Sequence, residues 1–282
     1  MKIVAVVPTY NRPGLLKSNL TALLSQSRQI EQIVVVDNAS EPATRAMLEE
    51  NGFLAHPRIV YVRVDINVGA SGGFKRGLET AIALNAEWIW GMDDDAFPRP
   101  DALATLLATD MDPAVCYWSN CDKDKQFDGP YKQVADMMFV GFFLHRSLLQ
   151  KVGMPDERFY MYYDDIDYSE RIYDMGGRIV KVRDSVIDHD DWRTRGESPF
   201  DWKRFLFWRV AIFNGDPYRL YYMARNGYFI GRRGVLAKAA YWLRQGLVAV
   251  KYALYRPACT PLVLRAMADI SLNRRGRRDY AA

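Results

Sequence analysis

The sequence predicts an α/β fold with a mainly parallel sheet flanked by helices. Two observations support this prediction: four short apolar segments alternate with helical segments over the first 92 residues, and 49% of the 282 residues are hydrophobic. Such alternation is typical of parallel strands joined by right-handed helical crossovers. The apolar fraction is ample for a buried core.

The four apolar segments have the length and β-branched content of buried strands. They are Ile3–Val7, Gln32–Val36, Ile59–Val64 and Trp88–Met92. Helices are predicted between them at Pro13–Gln26, around Ala43–Asn51 and at residues 74–86, with Gly69–Gly73 as a loop before the third helix.

The second half of the chain is less regular. Its predicted elements are a strand at Met137–Leu144 followed by a short helix, a helix at Asp164–Met175 and a strand at Ile179–Val182. Beyond about Trp192 the composition shifts to arginine and aromatic residues. We therefore predict a domain at residues 1–191, with halves of about 1–100 and 101–191, and a mainly helical extension at 192–282.

Charge is distributed unevenly along the chain. Residues 1–190 hold 20 Lys and Arg against 28 Asp and Glu, whereas residues 191–282 hold 18 against 6. In the extension, Val235–Tyr255 is an apolar segment interrupted by three basic residues, with Arg244 and Lys251 forming a predicted basic stripe, and residues 274–278 are polybasic. These charges favour an interfacial helix on an anionic membrane over a spanning helix. Packing of the extension on the domain or on a second subunit is the alternative.

Cysteine usage and the N-terminus bear on location. The three cysteines lack a metal-ligand spacing, which suits a reducing compartment. The chain runs directly into its first strand without a signal-peptide pattern. The expected location is the cytoplasm, at the periphery of the inner face of the cytoplasmic membrane.

Polar side chains follow each of the four predicted strands. They are Thr9 and Asn11, Asp37 and Asn38, Asn67, and the triplet Asp93–Asp95. Because the carboxyl ends of parallel strands meet at one edge of a sheet, where ligands bind, we expect these side chains to line one nucleotide-sized crevice.

The acidic triplet Asp93–Asp95 poses an electrostatic problem. Adjacent carboxylates repel one another, and their burial without a counter-charge is costly. A divalent cation would remove that cost and could bridge diphosphate oxygens. A solvated acidic loop is the alternative, but the flanking tryptophans and apolar strand favour a packed site.

Glycines and an arginine form a second motif, Asn67-x-Gly69-x-x-Gly72-Gly73-x-x-Arg76. The glycines allow a close backbone approach, and the guanidinium suits a phosphate or a nucleotide edge. A glycine-rich turn with a surface arginine is the alternative.

A third motif begins a predicted helix with Asp164, Asp165 and Asp167. Acids in a first helical turn are favoured by the helix dipole, which is the ordinary interpretation. Aromatic residues from Phe159 to Tyr168 instead suggest a sugar pocket around these acids. Asp167 and Arg171, one turn apart, are predicted to form an ion pair.

His189 is a candidate ligand for a metal or a phosphate. It lies between Asp188 and Asp190 at the end of a predicted strand. A structural histidine is the alternative.

In combination these motifs resemble family 2 glycosyltransferases. The resemblance rests on Val7–Arg12, Val36–Ser40, the Asn67–Gly77 motif, the Asp triplet and Tyr163–Tyr168, and it extends to Tyr221-Tyr222-x-x-Arg225-Asn226. It implies the GT-A nucleotide-diphospho-sugar transferase fold, a nucleotide-sugar donor, a Mn²⁺ or Mg²⁺ cofactor and inversion at the anomeric carbon.

The resemblance also implies roles for particular residues. Residues 1–100 would bind the donor and residues 101–191 the acceptor. The implied donor-site residues are Pro8, Thr9, Asn11, Arg12, Asp37, Asn67, Gly72, Gly73, Arg76, Asp93 and Asp94, with Asp37 at the uracil or thymine edge. Asp93, Asp95 and His189 would hold the metal. Asp165 would be the general base, and Asp164 would hold the acceptor sugar.

The Gly-Gly-Phe-Lys-Arg-Gly run and the Asp-Asp-x-Asp-Tyr pattern look most similar to galactofuranosyltransferases. The expected activity is that of a hexosyltransferase moving galactofuranose from UDP-galactofuranose to a glycan or lipid-linked glycan, as in O-antigen or other cell-envelope polysaccharide synthesis. A rhamnosyltransferase using dTDP-rhamnose is the alternative. A glycoside hydrolase would need neither a metal triplet nor a nucleotide crevice. A nucleic-acid-binding protein would not carry the acidic cluster, so no nucleic-acid partner is expected.

Overall fold

The structure, a computed structural model, describes residues 1–121, 127–190, 198–205, 208–230 and 234–278. Strands and helices alternate along the first part of the chain, as predicted. The elements are β1 (Ile3–Thr9), α1 (Pro13–Leu24), β2 (Gln32–Asp37), α2 (Pro42–Glu50), β3 (Ile59–Arg63), α3 (Gly69–Ala83) and β4 (Trp88–Gly91).

Shorter elements follow in the second part of the chain. They are β5 (Ala96–Pro98), α4 (Ala102–Leu107), β6 (Val115–Asn120), β7 (Tyr131–Gln133), β8 (Phe142–His145), α5 (Arg146–Val152), a 3-10 turn (Glu157–Phe159), α6 (Asp164–Asp174) and β9 (Arg178–His189). The extension contains a hairpin of β10 (Phe200–Phe205) and β11 (Trp208–Phe213), then α7 (Pro217–Asn226), α8 (Val235–Tyr255), a 3-10 turn (Pro257–Cys259) and α9 (Thr260–Ser271).

The main sheet has the strand order β3-β2-β1-β4-β8-β6-β9-β5, with β7 also paired to β9. Strands β1 to β4 are mutually parallel, whereas β8 pairs antiparallel with both β4 and β6. The order reverses direction at β1, since β2 lies on one side of it and β4 on the other. That reversal creates a crevice beyond the carboxyl ends of β1, β2 and β4, where open α/β sheets bind their ligands.

The hydrophobic core fills both faces of this sheet. All seven residues of β1 and all four of β4 are buried. Strand β4 places Trp90, which is fully buried, between the parallel and the antiparallel parts of the sheet. Strands covered on both faces read as continuous apolar runs, which is why β1, β2 and β4 were recognisable in the sequence.

The segment Gly69–Gly73 is not a loop: it forms the first turn of α3. Its glycines serve close packing, because a Cβ at Gly73 would lie 2.9 Å from the Pro8 Cβ of β1. The predicted strand Met137–Leu144 is also wrong at its start, since β8 begins at Phe142. Strand β9 is longer than predicted because it pairs successively with β6, β7 and β5.

The extension is mainly helical, as predicted, but it opens with the unpredicted β10–β11 hairpin. The predicted boundary at residues 191–192 lies outside the described residues. Among the helices that the structure describes, none is both long and apolar enough to cross a membrane.

Candidate active site

The ends of β1, β2 and β4 come together through backbone and side-chain contacts. Thr9 is opposite Asp37 in the register of β1 and β2, and the Asn38 amide donates to the Thr9 carbonyl over 2.9 Å. From the other side, the Thr9 hydroxyl donates to Asp94 Oδ2 over 2.7 Å. The structure thus brings three of the four predicted strand-end groups to one place.

The acidic triplet has a protein counter-charge that the sequence did not reveal. Arg12 Nη1 donates to Asp94 Oδ1 at 3.1 Å and to Asp95 Oδ2 at 2.8 Å. Asp94 is buried and receives the Thr9 hydroxyl as well, so it joins β1 to the triplet. Arg12 therefore supplies part of the counter-charge that the sequence analysis assigned to a divalent cation.

His189 reaches the triplet from the end of β9. Antiparallel pairing sets Ala96 opposite His189, and the Asp190 amide donates to the Asp95 carbonyl over 2.9 Å. His189 Nε2 lies 3.2 Å from Asp95 Oδ1. The structure thus places His189 beside the acidic triplet although 94 positions separate it from Asp95, and its role as a metal ligand stays a prediction.

The three carboxyl groups differ in proton affinity. Burial and repulsion by Asp95 and Asp94 raise the pKa of Asp93 well above its usual value. Burial also raises the pKa of Asp94, against the opposing charge of Arg12. For Asp95 burial acts in the same direction, but the neighbouring His189 and Arg12 prevail and lower its pKa. Asp95 is thus the member that stays ionised most readily.

The side chains at the triplet are of the types that bind a divalent cation. Asp95 Oδ1 is buried, and apart from His189 Nε2 at 3.2 Å no donor among the described residues reaches it. Carboxylate oxygens and an imidazole nitrogen are ligands that Mn²⁺ accepts. Within the described ranges, however, no three His, Cys, Asp or Glu side chains form a preassembled metal cluster. The chain alone offers a partial ligand set, and donor oxygens or water would have to complete it.

Asp37 is fully buried and its carboxylate is already engaged. Oδ1 accepts the Ser40 amide over 2.8 Å, and Oδ2 accepts the Tyr61 hydroxyl and Arg63 Nη1. Asn11, at φ +54°, lies on the rim of the same loop, where its Oδ1 accepts the Glu41 amide. Asp37 in this arrangement organises the loop after β2.

The glycine-rich motif divides into two parts. Asn67 Oδ1 accepts the Gly69 amide over 2.8 Å at the start of α3, next to the crevice. Gly72 and Gly73 pack against protein, since added Cβ atoms would meet Val68 and Pro8 at under 3 Å. Arg76 lies on the exposed face of α3, where it pairs with Glu79 over 3.2 Å. The structure does not bring Arg76 into contact with the acidic triplet.

Asp164 and Asp165 begin α6, and their surroundings differ from those of the triplet. Asp164 is buried, and Asp165 Oδ1 accepts the Ile166 amide over 2.8 Å. Burial together with the charge of Asp165 raises the pKa of Asp164 to about 8. Burial raises the pKa of Asp165 to about 6, with a contribution from the charge of Asp136. The pair therefore shares a proton near neutral pH, with Asp165 the ionised member.

The predicted ion pair between Asp167 and Arg171 is confirmed, with Nε 2.9 Å from Oδ2. Asp167 is therefore neutralised by Arg171 on the same helix. Asp164 and Asp165 remain at the start of α6, and no contact that the structure describes bonds a cation to either of them.

Two supporting residues were missed in the sequence. Asn19 is fully buried on α1 and donates to the Ala96 carbonyl over 2.6 Å, which fixes the backbone after the triplet. The sequence feature that could have revealed Asn19 is its position as a lone amide on a leucine-rich face of the predicted helix. Asn226 and Arg225 of α7, noted only as part of a motif, are buried and donate to carbonyls of residues 158–162, just before Asp164.

The polybasic segment 274–278 was predicted as a membrane tag, but it packs on the catalytic half. The Gly276 amide donates to the Arg158 carbonyl over 2.6 Å, and Arg277 Nη1 donates to the Asn67 carbonyl over 3.1 Å. Arg278 pairs with Asp269. Composition could not reveal this, since a folded and a free basic segment look the same in sequence.

Sequence comparison places this geometry among known proteins. A galactofuranosyltransferase, GlfT1 of Mycobacterium tuberculosis (strain ATCC 25618 / H37Rv), is 28% identical over 280 residues, which is 86% of this chain and 87% of the relative. GlfT1 of Mycolicibacterium smegmatis is 28% identical over 203 residues, covering 62% of this chain and 66% of the relative, just under two thirds of its length.

Solved structures agree in fold. Staphylococcus aureus TarS 1-349 in complex with UDP-GlcNAc matches with a TM-score of 0.58 at 15% identity, over 97% of this chain and 82% of that one. The mannosyltransferase PcManGT from Pyrobaculum calidifontis, in complex with GDP-Man and Mn2+, matches with a TM-score of 0.54 at 19% identity, over 96% and 75%. The fold is GT-A, as the motifs implied.

The motif resemblance is confirmed by a sequence profile as well. The profile described as "Glycosyl transferase family 2" matches residues 4–171, which is more than half of the chain and includes both acidic clusters. The chain belongs to glycosyl transferase family 2.

Proposed function

We propose that the protein is an inverting hexosyltransferase that transfers galactofuranose from UDP-galactofuranose to a hydroxyl of a glycan or lipid-linked glycan in cell-surface polysaccharide synthesis. The observation that carries the transferase assignment is the presence of two unlike acidic clusters: the triplet contacts Arg12 and His189 at the strand ends, and the pair at the start of α6 is buried with raised pKa values. The galactofuranosyl assignment is supported by the GlfT1 relatives.

In this proposal the first cluster handles the donor. Asp93, Asp95 and His189 would hold a Mn²⁺ or Mg²⁺ ion here, and such an ion would supply positive charge against the negative charge of the departing diphosphate. Arg12 keeps Asp94 and Asp95 oriented, and Thr9 fixes Asp94 against β1. Pro8 and Gly73 pack β1 against α3 beneath the site, and Gly72 packs against Val68.

Nucleotide recognition falls to the loops after β1, β2 and β3. Asn11 and Asn67 lie at the mouths of these loops. For Asp37 to contact the uracil edge, Tyr61 or Arg63 must release one carboxylate oxygen, because the side chain is fully buried. Arg76 would have to leave Glu79 to reach a donor.

The second cluster handles the acceptor. Asp165, ionised above about pH 6, accepts the proton of the acceptor hydroxyl as its oxygen attacks the anomeric carbon. Asp164, with its pKa raised to about 8, keeps its proton near neutral pH and can donate it to a sugar oxygen. One displacement, opposite the leaving UDP, inverts the anomeric centre.

A donor panel tests the proposal. The purified protein is incubated with Mn²⁺ and UDP-galactofuranose, UDP-galactopyranose, UDP-glucose or dTDP-rhamnose, and release of the nucleoside diphosphate is measured. We expect the fastest release from UDP-galactofuranose. Faster release from dTDP-rhamnose would favour the rhamnosyltransferase, and release of monosaccharide from a glycan without any nucleotide donor would indicate a glycoside hydrolase.

We also propose that the protein works at the periphery of the inner face of the cytoplasmic membrane, docked through α8. This helix exposes an apolar stripe of Leu236, Leu243, Leu247, Val250 and Leu254, each at least half exposed. Arg244 flanks the stripe in an exposed position, and residues 217–268 contain no Asp or Glu. An apolar stripe that is bordered by a cation and lacks acidic neighbours on its helix fits an anionic lipid surface.

The predicted basic stripe is narrower than expected, because Lys251 turns inward and donates to the Ala211 carbonyl over 2.8 Å. Flotation with phosphatidylglycerol vesicles tests the docking. The double variant L243S/L247S should lose binding, whereas Arg256→Lys, away from the stripe, should retain it. Equal binding of both variants, or equal binding to phosphatidylcholine, would contradict the proposal. A truncation at residue 230 is unsuitable, since it removes the contact between Gly276 and Arg158.

A further inference from the structure

The backbone that leads into Asp164 is unusual. Tyr160, Tyr162 and Tyr163 have φ values of +67°, +62° and +68°. Residues with a Cβ rarely adopt this left-handed region, and three such tyrosines within four residues form a strained segment. Such a segment persists only where surrounding groups hold it, and Tyr163 is the residue from which α6 begins.

Asn226, at the end of α7, holds this segment by its carbonyls. Its Nδ2 donates to the carbonyls of Phe159 at 2.8 Å, Met161 at 2.7 Å and Tyr162 at 3.1 Å. These three acceptors lie within four residues, so a single amide group sets the path of the chain just before the acidic pair. Asn226 is 1% exposed, so its amide group is shielded from bulk solvent.

Arg225 completes the contact from the same turn of α7. Its Nη2 donates to the carbonyls of Arg158 and Phe159, each at 3.2 Å, and its Nε donates to Asn226 Oδ1 at 2.8 Å. The last bond orients the amide so that its nitrogen faces the segment. Arg225 is fully buried, and its guanidinium lies over the rings of Tyr221 and Tyr222 at about 5 Å.

The opposite side of the segment is closed by the start of α3. Gly69, at φ +77°, has no Cβ where one would lie 2.0 Å from the Tyr160 carbonyl oxygen. Ser71 Oγ donates to the Asp156 carbonyl over 2.9 Å. The segment is therefore wedged between an element beside the donor crevice and an element of the extension.

We propose that Arg225 and Asn226 are positioning residues for the acidic pair: they hold residues 158–162 in the strained path that presents Asp164 and Asp165 to the acceptor. This inference rests on the proposed role of Asp165 as the base. The extension then contributes to catalysis indirectly, because the two residues that set the position of the base belong to α7. Displacement of a base by about 1 Å can cost on the order of a hundredfold in rate.

Asn226→Asp tests this with the smallest change. Aspartate keeps the oxygen that accepts from Arg225, but it replaces the Nδ2 donor with an acceptor facing three carbonyls. Arg225→Lys is the companion variant: it keeps the positive charge and loses the forked contact with the Arg158 and Phe159 carbonyls. Arg256→Lys is the matched control, since Arg256 also donates to a carbonyl in the extension, that of Phe213, far from the segment in sequence.

Turnover, UDP affinity in the presence of Mn²⁺, the pH dependence of kcat and the unfolding temperature are measured for each variant. For Asn226→Asp we expect kcat to fall by about 10- to 100-fold, with UDP affinity kept within about threefold and the half-maximal pH of kcat displaced. Arg225→Lys should show the same pattern to a smaller degree, and Arg256→Lys should resemble the wild type. If Asn226→Asp does not fold, Arg225→Lys alone decides.

Two outcomes would overturn the inference. One is a folded Asn226→Asp protein with kcat within about twofold of the wild type. The other is a parallel loss of kcat, UDP affinity and unfolding temperature, which would make the two residues stability elements only. Asp165→Asn in the same assay separates the two proposals: if it keeps turnover, the base assignment fails, whatever Asn226→Asp does.

Discussion

The two acidic clusters of this site are built from the same residue type but have opposite electrostatic surroundings. In the triplet, Arg12 and His189 lie within 3.2 Å of Asp95, and its pKa is lowered despite burial. At the start of α6, no cation among the described residues is bonded to Asp164 or Asp165, and burial raises the pKa values of both. Within the triplet Asp93 and Asp94 also have raised pKa values, so the contrast rests on Asp95, which stays ionised beside its cations, whereas Asp164 and Asp165 are harder to ionise than ordinary aspartates. The neighbours, not the carboxyl groups, decide the chemistry.

The largest expected effect is at the proton-sharing pair. Asp165→Asn keeps the shape of the side chain but cannot accept a proton, so kcat should fall by about 10²- to 10⁴-fold. Steady-state kinetics with UDP-galactofuranose and an acceptor glycan measures the loss. Asp167→Asn is the control on the same helix, since that acid is paired with Arg171. Near-normal turnover of Asp165→Asn would remove it from the role of base.

A smaller effect is expected at the ionised member of the triplet. Asp95→Asn removes the charge that faces His189, so the Mn²⁺ concentration for half-maximal activity should rise at least about tenfold. Titration of activity with Mn²⁺ measures it. Asp188→Asn, one residue before His189 and paired with Arg99, is the matched control. An unchanged Mn²⁺ requirement in Asp95→Asn would dissociate the triplet from the cation.

The raised pKa of Asp165 predicts a pH dependence of activity. The base is ionised above its pKa of about 6 and protonated below it, so kcat/KM should fall as the pH drops through 6, approaching about tenfold per pH unit. Activity measured from pH 4.5 to 8, with unfolding monitored in parallel, gives the profile. Activity that remains constant down to pH 5 would mean that the base titrates at an ordinary carboxyl pKa.

The smallest effect is expected where the triplet is fixed to β1. Thr9→Val removes the hydroxyl that donates to buried Asp94, while Arg12 remains on that carboxylate. The expected cost is about 1–3 kcal/mol of unfolding free energy, with less than a tenfold change in turnover. Thermal or urea unfolding measures it, and Thr21→Val on the exposed face of α1 is the control. A neutral Thr9→Val would show that Arg12 alone orients Asp94.

The sequence predicted the part of the fold that depends on local pattern. Strands β1 to β4 are short apolar runs, and their parallel topology alone brings Thr9, Asp37 and Asp94 together. Both acidic clusters and His189 were singled out from their positions in the sequence, and the motif resemblance supplied their expected roles. The predicted start of α3 was wrong, because glycines that allow a helix to pack closely look like a loop in the sequence.

What the sequence could not predict are contacts between distant residues. Arg12 meets Asp94 across 82 positions, and Asn226 meets Met161 across 65. Neither partner carries a local signal of the other. Such contacts decide which carboxyl groups lie beside cations, so the difference in pKa between Asp95 and the Asp164–Asp165 pair could not be read from the sequence.

The most direct test of the proposed roles compares UDP binding with turnover. Calorimetry measures UDP binding in the presence of Mn²⁺ for the wild type, Asp165→Asn and Asp95→Asn, and turnover is measured for the same three proteins. We predict that Asp165→Asn binds UDP as the wild type does and fails to turn over, whereas Asp95→Asn loses Mn²⁺-dependent UDP binding. Equal loss of UDP binding in both variants, or turnover by Asp165→Asn, would contradict the assignment of the donor to one cluster and the proton to the other.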